Sequence, residues 1–306
     1  MSGQDKKVLC VGLCCLDMVM ICKSYPEEDS DQRCLSHVWQ RGGNASNNST
    51  IFSEFNIPCE ILGTLSNDIG GQFMKKDFEK HHISYENCHL YEEFESPTSI
   101  ILINSQNGSR TIVHSNKGMP EVSIEDFKLL NLNNYNWIHF EIRPQYDQIK
   151  LIIDYIQLWN SEISHEPILV SIEVEKPKTE LLELLNLGDF VFISKDFAQA
   201  CGYSDMKSAV EELHHKIKSG ASIICAWSDH GAAARSAAGP VVTSPAFPPS
   251  KLVNTLSAGD TFVAATIIAL MKGQDLAEAI TTGCKIAGAK CGMHNSVGLS
   301  DQFPDL

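Results

Sequence analysis

The chain has 306 residues, a length that suits a single large α/β domain spanning residues 1–306 with a sizeable core. Hydrophobic residues make up 43% of it and charged residues 20%, which is typical of a soluble globular protein. The formal net charge of −14 disfavours nucleic acids and anionic membranes as partners, because both would be repelled, so we expect neither.

The first predicted element is a continuous apolar run over residues 8–13, as expected for a central parallel strand that is buried on both faces. Asp17 follows shortly after its end. Ligands of open α/β sheets bind beyond the carboxyl ends of the strands, so a carboxylate there is well placed to hold hydroxyl groups. Taken alone, Asp17 is more simply explained as a solvated turn residue.

A glycine turn then begins a predicted helix. Residues 41–47 are Arg-Gly-Gly-Asn-Ala-Ser-Asn, and the helix is expected to continue to about Phe55. Asn44 and Asn47 share one helical face at a spacing of three. Two amides at a helix start suit sugar hydroxyls, but asparagine is also a favoured N-cap, so capping is the alternative.

Two segments interrupt the regular alternation of strands and helices. Residues 61–82 predict a strand, a glycine-rich turn and a helix, and a hairpin is expected next, with strands over residues 98–104 and 110–114. This hairpin and residues 13–40 stand outside a regular alternation of strands and helices. The two can pair as a small sheet over the strand ends.

The regular alternation resumes in the second half of the chain. Apolar runs separated by helical stretches cover residues 137–141, 168–174, 190–193 and 222–227. Repeated β–α units of this kind predict a doubly wound, mostly parallel sheet with right-handed crossovers and flanking helices.

The most informative stretch begins at Leu252. An extended segment ends in the small-residue turn 257–259, and Asp260 opens an almost wholly apolar helix that runs to about Lys272. A helix that is apolar on most sides is buried, and its free N–H groups and dipole make its start a site for an anion, most simply a phosphate. Asp260 is placed to accept a proton from an attacking hydroxyl. It is equally suited to cap the helix, and spacing alone does not separate the two roles.

The eleven cysteines show no CxxC pair and no Cys/His cluster with zinc spacing, so we expect free, mostly buried thiols in a reducing compartment and no metal held by the protein. Two lysines followed by the apolar run over residues 8–22 look like the start of a signal peptide. Asp17 interrupts that run and no cleavage site follows, so the protein is expected to be cytoplasmic.

The stretch around Asp260 resembles the D-T-x-G-A-G-D signature of the ribokinase-like, or phosphofructokinase-B, carbohydrate kinases. Residues 25–34, 39–47, 171–177 and 246–249 are similar to the fructokinase branch of that family, and the similarity extends over about residues 8–292. The resemblance implies a ribokinase-like fold with a small β-sheet lid made of two segments, about 16–39 and 95–117. It also implies a homodimer through the lid, and ATP-dependent phosphorylation of fructose at its C1 hydroxyl.

The resemblance implies roles for individual residues as well. Asp260 is the catalytic base. The sugar-binding residues are Asp17, Gly43, Asn44, Asn47 and Asp260. The nucleotide-binding residues are Arg110, Ser228, Asp229, His230, Gly231, Ser257, Ala258, Gly259 and Cys284. The expected cofactors are ATP with Mg²⁺, and K⁺ as an activator.

Two departures from the signature bear on these expectations. Ser257 replaces the first glycine, which keeps the backbone N–H but is disfavoured if that position needs a positive φ. Asn254 replaces an aspartate and removes a charge near the expected monovalent-cation site, so we expect weaker activation by K⁺. The alternatives are a kinase for another sugar or nucleoside, or a weakly active relative that binds sugar or nucleotide.

Overall fold

The structure is a computed structural model, and it describes residues 6–143, 146–162 and 166–306. The strands are β1 Lys7–Val11, β2 Cys15–Cys22, β3 Ser36–Gly42, β4 Cys59–Leu62, β5 Thr64–Ser66, β6 His89–Tyr91, β7 Thr98–Asn104, β8 Arg110–Ser115, β9 Tyr135–Glu141, β10 Leu169–Val174, β11 Phe190–Ile193, β12 Ser222–Ala226, β13 Ala232–Ser236 and β14 Val241–Ser244. The α-helices are α1 Asn44–Glu54, α2 Ile69–Lys80, α3 Ile124–Phe127, α4 Asp147–Glu162, α5 Lys195–Ala200, α6 Met206–Leu213, α7 Ala258–Met271 and α8 Leu276–Cys291.

A central sheet of eight strands has the order β14-β13-β12-β11-β10-β9-β1-β4. The six strands from β12 to β4 pair in parallel, and β13 and β14 extend the sheet antiparallel at one edge. The apolar runs predicted as parallel strands therefore form one sheet, and the doubly wound fold class is confirmed.

Alternate residues of the buried strands supply two cores, one on each face of the sheet. In β1, Leu9 and Val11 join the core beneath α3 to α6, whereas Val8 and Cys10 join the core beneath α1, α2, α7 and α8. A strand that buries both faces has no polar alternation, because neither side meets water. This explains why the strand sequences are continuous apolar runs.

Helix α7 lies within the second core. Ten consecutive residues, from Asp260 to Ala269, are buried, as its apolar composition predicts. It packs against α8 and α1. The packing against α8 buries the helix, and the packing against α1 brings the start of α7 against the polar start of α1.

A second sheet has the order β3-β2-β7-β8, and its strands come from residues 15–42 and 98–115. Strands β2 and β7 pair in parallel, and the outer strands pair antiparallel. This four-stranded sheet is called the lid below. Strands β5 and β6 form a separate parallel pair.

Among the described residues, no helix combines the length and the apolar character needed to cross a lipid bilayer.

Candidate active site

The turn before α7 provides backbone donors at one end of the site. Helix α7 begins at Ala258, and Ser257 stands at the N-cap with φ 60° and ψ 16° without a side-chain capping bond. Among the described residues, no acceptor faces the N–H groups of Ser257, Gly259 and Asp260, and nothing lies within 4 Å of the place that a Cβ on Gly259 would take. These donors therefore have no protein partner in the described part of the chain, so a phosphate group can accept from them.

Asp260 is the third residue of α7, so both the expectation that it opens the helix and the N-cap alternative are wrong. Its buried carboxylate Oδ2 accepts a hydrogen bond of 2.7 Å from Asn47 Nδ2, and the Asn48 side chain donates to its backbone carbonyl. Burial raises the pKa of Asp260 well above its usual value and ionisation of Glu173 would raise it further, whereas the bond from Asn47 lowers it.

The start of α1 places the two asparagines. Gly43 is the N-cap, with φ 97°, and a Cβ there would lie 2.1 Å from the Leu13 carbonyl oxygen, so only glycine fits. Because Gly43 holds the N-cap position and no described side chain caps the helix, the capping alternative for Asn44 and Asn47 is wrong. Both amides are instead used in contacts with other elements.

Asn44 contacts two glutamates at the carboxyl end of β10. Its Nδ2 donates to Glu173 Oε1 at 3.1 Å and to Glu175 Oε2 at 3.2 Å. Glu173 lies near the carboxyl end of β10, and Glu175 comes just after it. The side-chain oxygen Oδ1 of Asn44 has no protein donor in the described part of the chain and remains available to a hydroxyl group.

Glu141, at the carboxyl end of β9, contacts the segment after β1 and the start of α1. Its Oε2 accepts from the backbone N–H groups of Leu13 and Ala45, at 3.0 and 3.1 Å, and its Oε1 lies 3.3 Å from Arg143 Nη1. One carboxylate therefore ties the end of β1 to the start of α1. This fixes the glycine turn between Asp17 and the two asparagines.

Asp17 lies within strand β2 of the lid and not in a solvated turn. Its side chain is buried, and Cys15 Sγ lies 3.4 Å from its Oδ1. The strand register places it opposite Gln40 on one side and Ser99 on the other. Burial raises the pKa of Asp17, and the bonds from Ser99 and Cys15 lower it.

Arg110, the first residue of β8, reaches from the lid to the turn before α7. Its Nη1 lies 3.3 Å from the Thr255 carbonyl oxygen and 3.4 Å from the Thr255 hydroxyl. An exposed guanidinium thus stands two residues from Ser257, where it can meet an anion that the turn binds.

The remaining predicted nucleotide residues form a second turn. Ser228, Asp229 and His230 make a short 3₁₀ helix after β12, and Gly231 follows with φ 94°, where a Cβ would lie 2.0 Å from the Ser244 carbonyl oxygen. Cys284 of α8 is buried beside the Ser244 hydroxyl. Ser244 thus links the two predicted parts of the nucleotide site.

The segment 254–256 is held by groups from the end of α8. The buried Lys290 ammonium donates to the carbonyl oxygens of Leu256 and Asn254, the second at 3.3 Å. Asn254 Nδ2 donates to the His294 carbonyl oxygen at 3.0 Å, and its Oδ1 accepts from the Leu256 N–H. Burial lowers the pKa of Lys290.

All eleven cysteines are free thiols, and most are buried. Within the described ranges, no group of three or more His, Cys, Asp or Glu side chains is arranged to hold a metal ion.

The chain matches known proteins along almost its whole length. Residues 5–301 match the model of the pfkB family of carbohydrate kinases. The chain belongs to the pfkB family. As a pfkB carbohydrate kinase it is a phosphotransferase. It is similar to ketohexokinase of Mus musculus, with 38% identity over 296 residues that cover 97% of this chain and 99% of that protein.

Solved structures share the ribokinase-like fold of this pfkB kinase. A putative ribokinase from Agrobacterium tumefaciens superposes with a TM-score of 0.81 at 19% identity, covering 95% of this chain and 93% of that one. The ribokinase of Arabidopsis thaliana, complexed with ribose and ATP, superposes with a TM-score of 0.79 at 17% identity, covering 97% and 96%. At these identities the superpositions establish the fold.

The structure of the pfkB kinase brings Asn47 into contact with Asp260, pairs Asn44 with Glu173 and Glu175, and places Arg110 beside the turn before α7. Glu141, Glu173 and Lys290 were missed by sequence reasoning. A signal existed for Glu173, because a glutamate inside an apolar strand run is costly to bury without a purpose. Nothing local marks Lys290, whose role depends on carbonyl groups more than thirty residues away.

Proposed function

We propose that this carbohydrate kinase transfers the γ-phosphoryl group of ATP to the C1 hydroxyl of fructose. The observation that carries the proposal is the Asp260 carboxylate, held by Asn47 at the start of a helix whose first N–H groups have no hydrogen-bond partner among the described residues. The 38% identity with mouse ketohexokinase over nearly the whole chain supports a ketose as the acceptor.

The sugar-binding groups would come from two sides of the cleft. Asn44 and Asn47 project from the start of α1, and Asp17 projects from the lid, where its buried carboxylate can accept from sugar hydroxyls. The close turn at Gly43 lets the backbone approach the sugar. Holding the acceptor hydroxyl at attack distance is worth a large part of the rate, because misplacement by about 1 Å can cost roughly 10²-fold.

Asp260 would accept the proton of the attacking hydroxyl. Its raised pKa strengthens it as a base while leaving it ionised at pH values above that pKa. Asn47 donates to one carboxylate oxygen and leaves the other free for the hydroxyl. General-base catalysis of this kind contributes about 10²–10⁴-fold.

The turn before α7 and Arg110 would stabilise the negative charge of the transferred phosphoryl group. Backbone N–H groups need no reorganisation during the reaction, and each well-placed donor can contribute about 10²–10³ in rate. Ser257 keeps its N–H despite the side chain, so this function survives the loss of glycine.

The proposed Mg²⁺ supplies positive charge to the ATP phosphates when it is bound. Since the described residues hold no cluster for a metal, we expect the nucleotide to provide its main ligands.

The residues around position 254 do not fit a required K⁺. The amide of Asn254 carries no charge, and the carbonyl oxygens of Asn254, Leu256 and His294 already face protein donors. A cation bound there would have to share these oxygens with those donors, one of which is the Lys290 ammonium. Turnover is therefore expected to depend only weakly on K⁺.

The lid carries an exposed apolar surface that would suit a second copy of the chain. Ile100 and Val113 are cross-strand partners on one face, and both are exposed. Trp39 lies on the same face and contacts Phe73 of α2. We expect a homodimer in sedimentation experiments and a shift toward monomer in Val113→Glu.

The function is tested by measuring ADP release with a panel of ketoses, aldoses and nucleosides. Fructose should give the highest kcat/KM, and ³¹P–¹³C coupling in the product should place the phosphate on C1. Preference for another sugar or a nucleoside would keep the chemistry and correct the substrate. A folded protein without turnover on any acceptor would instead favour a sugar- or nucleotide-binding role.

A further inference from the structure

Two buried polar atoms of neighbouring strands face each other without a bonded partner. His139 Nε2 of β9 and Glu173 Oε2 of β10 lie 3.6 Å apart, slightly more than a hydrogen-bond length, and neither has a hydrogen-bond partner within the described part of the chain. His139 is fully buried and Glu173 is almost fully buried. An unpaired polar atom is costly to bury, and a proton between the two atoms would satisfy both after a small approach.

The other side of the imidazole is fixed. His139 Nδ1 lies 2.8 Å from the Ser171 hydroxyl oxygen, which also accepts a bond of 2.8 Å from Trp137 Nε1. Two tautomers fit this contact: if Nδ1–H donates to Ser171, Nε2 is an acceptor for a protonated Glu173, and if Ser171 donates to Nδ1, Nε2–H is a donor to an ionised Glu173. Burial lowers the pKa of His139 to about 3, so the ring is neutral and takes up no second proton.

The charges around Glu173 favour the arrangement in which Glu173 is protonated and His139 Nε2 is the acceptor. Three carboxylates surround it, Glu141 from β9, Glu175 from its own chain segment and Asp260 from α7. Two cations balance them, with Lys176 Nζ 2.7 Å from Glu175 Oε2 and Arg143 next to Glu141. On β1 the Cys10 thiol is also near, and burial raises its pKa well above the usual value, so it stays neutral.

Burial and the charges of Glu175 and Glu141 raise the pKa of Glu173 to about 8, against a smaller opposing effect of the bond from Asn44. At neutral pH Glu173 is then a carboxylic acid. Among the described residues, His139 Nε2 is the acceptor that faces the Oε2–H of Glu173, while the Oε1 of Glu173 accepts from Asn44.

We propose that Glu173 is an uncharged positioning residue of the kinase, which donates its proton to His139 and holds the Asn44 amide in place for the sugar. The inference rests on the proposed function, because it assigns Asn44 to the sugar. A chain of bonds then runs from Trp137 in the core to the site, through Ser171, His139 and Glu173, and orients Asn44 from below.

Neutrality at this position has a consequence for the reaction. A charged Glu173 would stand beside Asp260 and near the incoming phosphoryl group, and it would repel an anion there. Ionisation of Glu173 on raising the pH is therefore expected to lower kcat above about pH 8, by about tenfold.

The test compares Glu173→Gln with Glu173→Ala. Glutamine copies the neutral acid, since its oxygen accepts from Asn44 and its amide donates to His139. It should keep kcat and the sugar KM within about threefold at pH 7 and should lose the fall of kcat above pH 8. Alanine leaves Asn44 unsupported and should raise the sugar KM by about tenfold, with ATP affinity measured without sugar unchanged.

Glu60→Gln is the matched control. Glu60 is likewise a buried strand carboxylate, but it pairs with Lys7 and Asn87 away from the site. This variant should leave the sugar KM and the alkaline fall unchanged. If Glu173→Gln is as defective as Glu173→Ala, or if the alkaline fall persists in Glu173→Gln, Glu173 is not the neutral group and the proposal is wrong.

An infrared measurement separates this inference from the proposed function. The carbonyl band of the protonated Glu173 carboxyl group is identified in the difference between the natural protein and Glu173→Gln at pH 7; it should also be present in Asp260→Asn and should titrate away as the pH rises through about 8. This band does not depend on turnover, so it should appear even if no sugar is phosphorylated. An active kinase without the band would overturn the inference alone.

Discussion

Replacing Asp260 by asparagine tests the proposed base most directly. The new amide can present its Oδ1 to the same Asn47 donor, which now stands 2.7 Å from the carboxylate, so the side chain should keep its place. The bond becomes neutral, which costs about 1 kcal/mol, whereas loss of the base costs about 10²–10⁴-fold in kcat. At about 1.4 kcal/mol per tenfold change, the barrier should rise by about 3–5 kcal/mol.

The assay is coupled ADP release at saturating fructose, together with calorimetric titration of ATP. We expect kcat to fall by at least about 10²-fold with ATP affinity within a few-fold, because the N–H groups of the turn are unchanged. The matched control is Asp275→Asn at the N-cap of α8, where asparagine caps as well as aspartate does. Near-normal turnover of Asp260→Asn would refute the assignment.

Stability provides a second measurement of the same variant. Because the folded-state pKa of Asp260 is raised, its carboxyl group favours folding below the ordinary pKa, and that contribution is lost as the pH rises through the raised value. Asparagine avoids this loss, so the variant should melt at a higher temperature than the natural protein at pH 7, and the difference should vanish in acid. An inactive variant that melts lower would indicate a damaged fold.

Four further predictions concern the neighbouring groups. Asp17→Ala should raise the sugar KM and lower kcat together without changing ATP binding in the absence of sugar; weaker ATP binding would place Asp17 in the wrong pocket. Ser257→Gly should relieve the left-handed backbone, worth about 1–2 kcal/mol, against about 0.5–1 kcal/mol of lost chain entropy, so urea unfolding should show a net gain of at most about 1.5 kcal/mol. Asn254→Asp should increase the activation by K⁺, and activity found only in the double variant would mean that these two positions disable the natural protein. Lys290→Met should lower kcat by about tenfold or more by releasing the Leu256 carbonyl and the turn that follows, and unchanged kcat would show that Lys290 does not hold the turn.

The sequence by itself determined the architecture. The apolar run of β1, the hairpin of β7 and β8 and the buried character of α7 all follow from local composition, because the spacing of apolar residues reports which faces are removed from water. The same reasoning located the small-residue turn at residues 257–259, which we propose binds an anion, since helix starts and small-residue turns are local features.

The tertiary structure decided which side chains meet. Asp260 and Asn47 are 213 positions apart, and Asn44 and Glu173 are 129 positions apart, so no periodicity reports either contact. The N-cap alternative for Asp260 was excluded by where α7 begins, since Ser257 with its left-handed backbone occupies the N-cap position. Local chemistry sets the elements, but contacts between distant elements follow only from how the sheet and its helices pack.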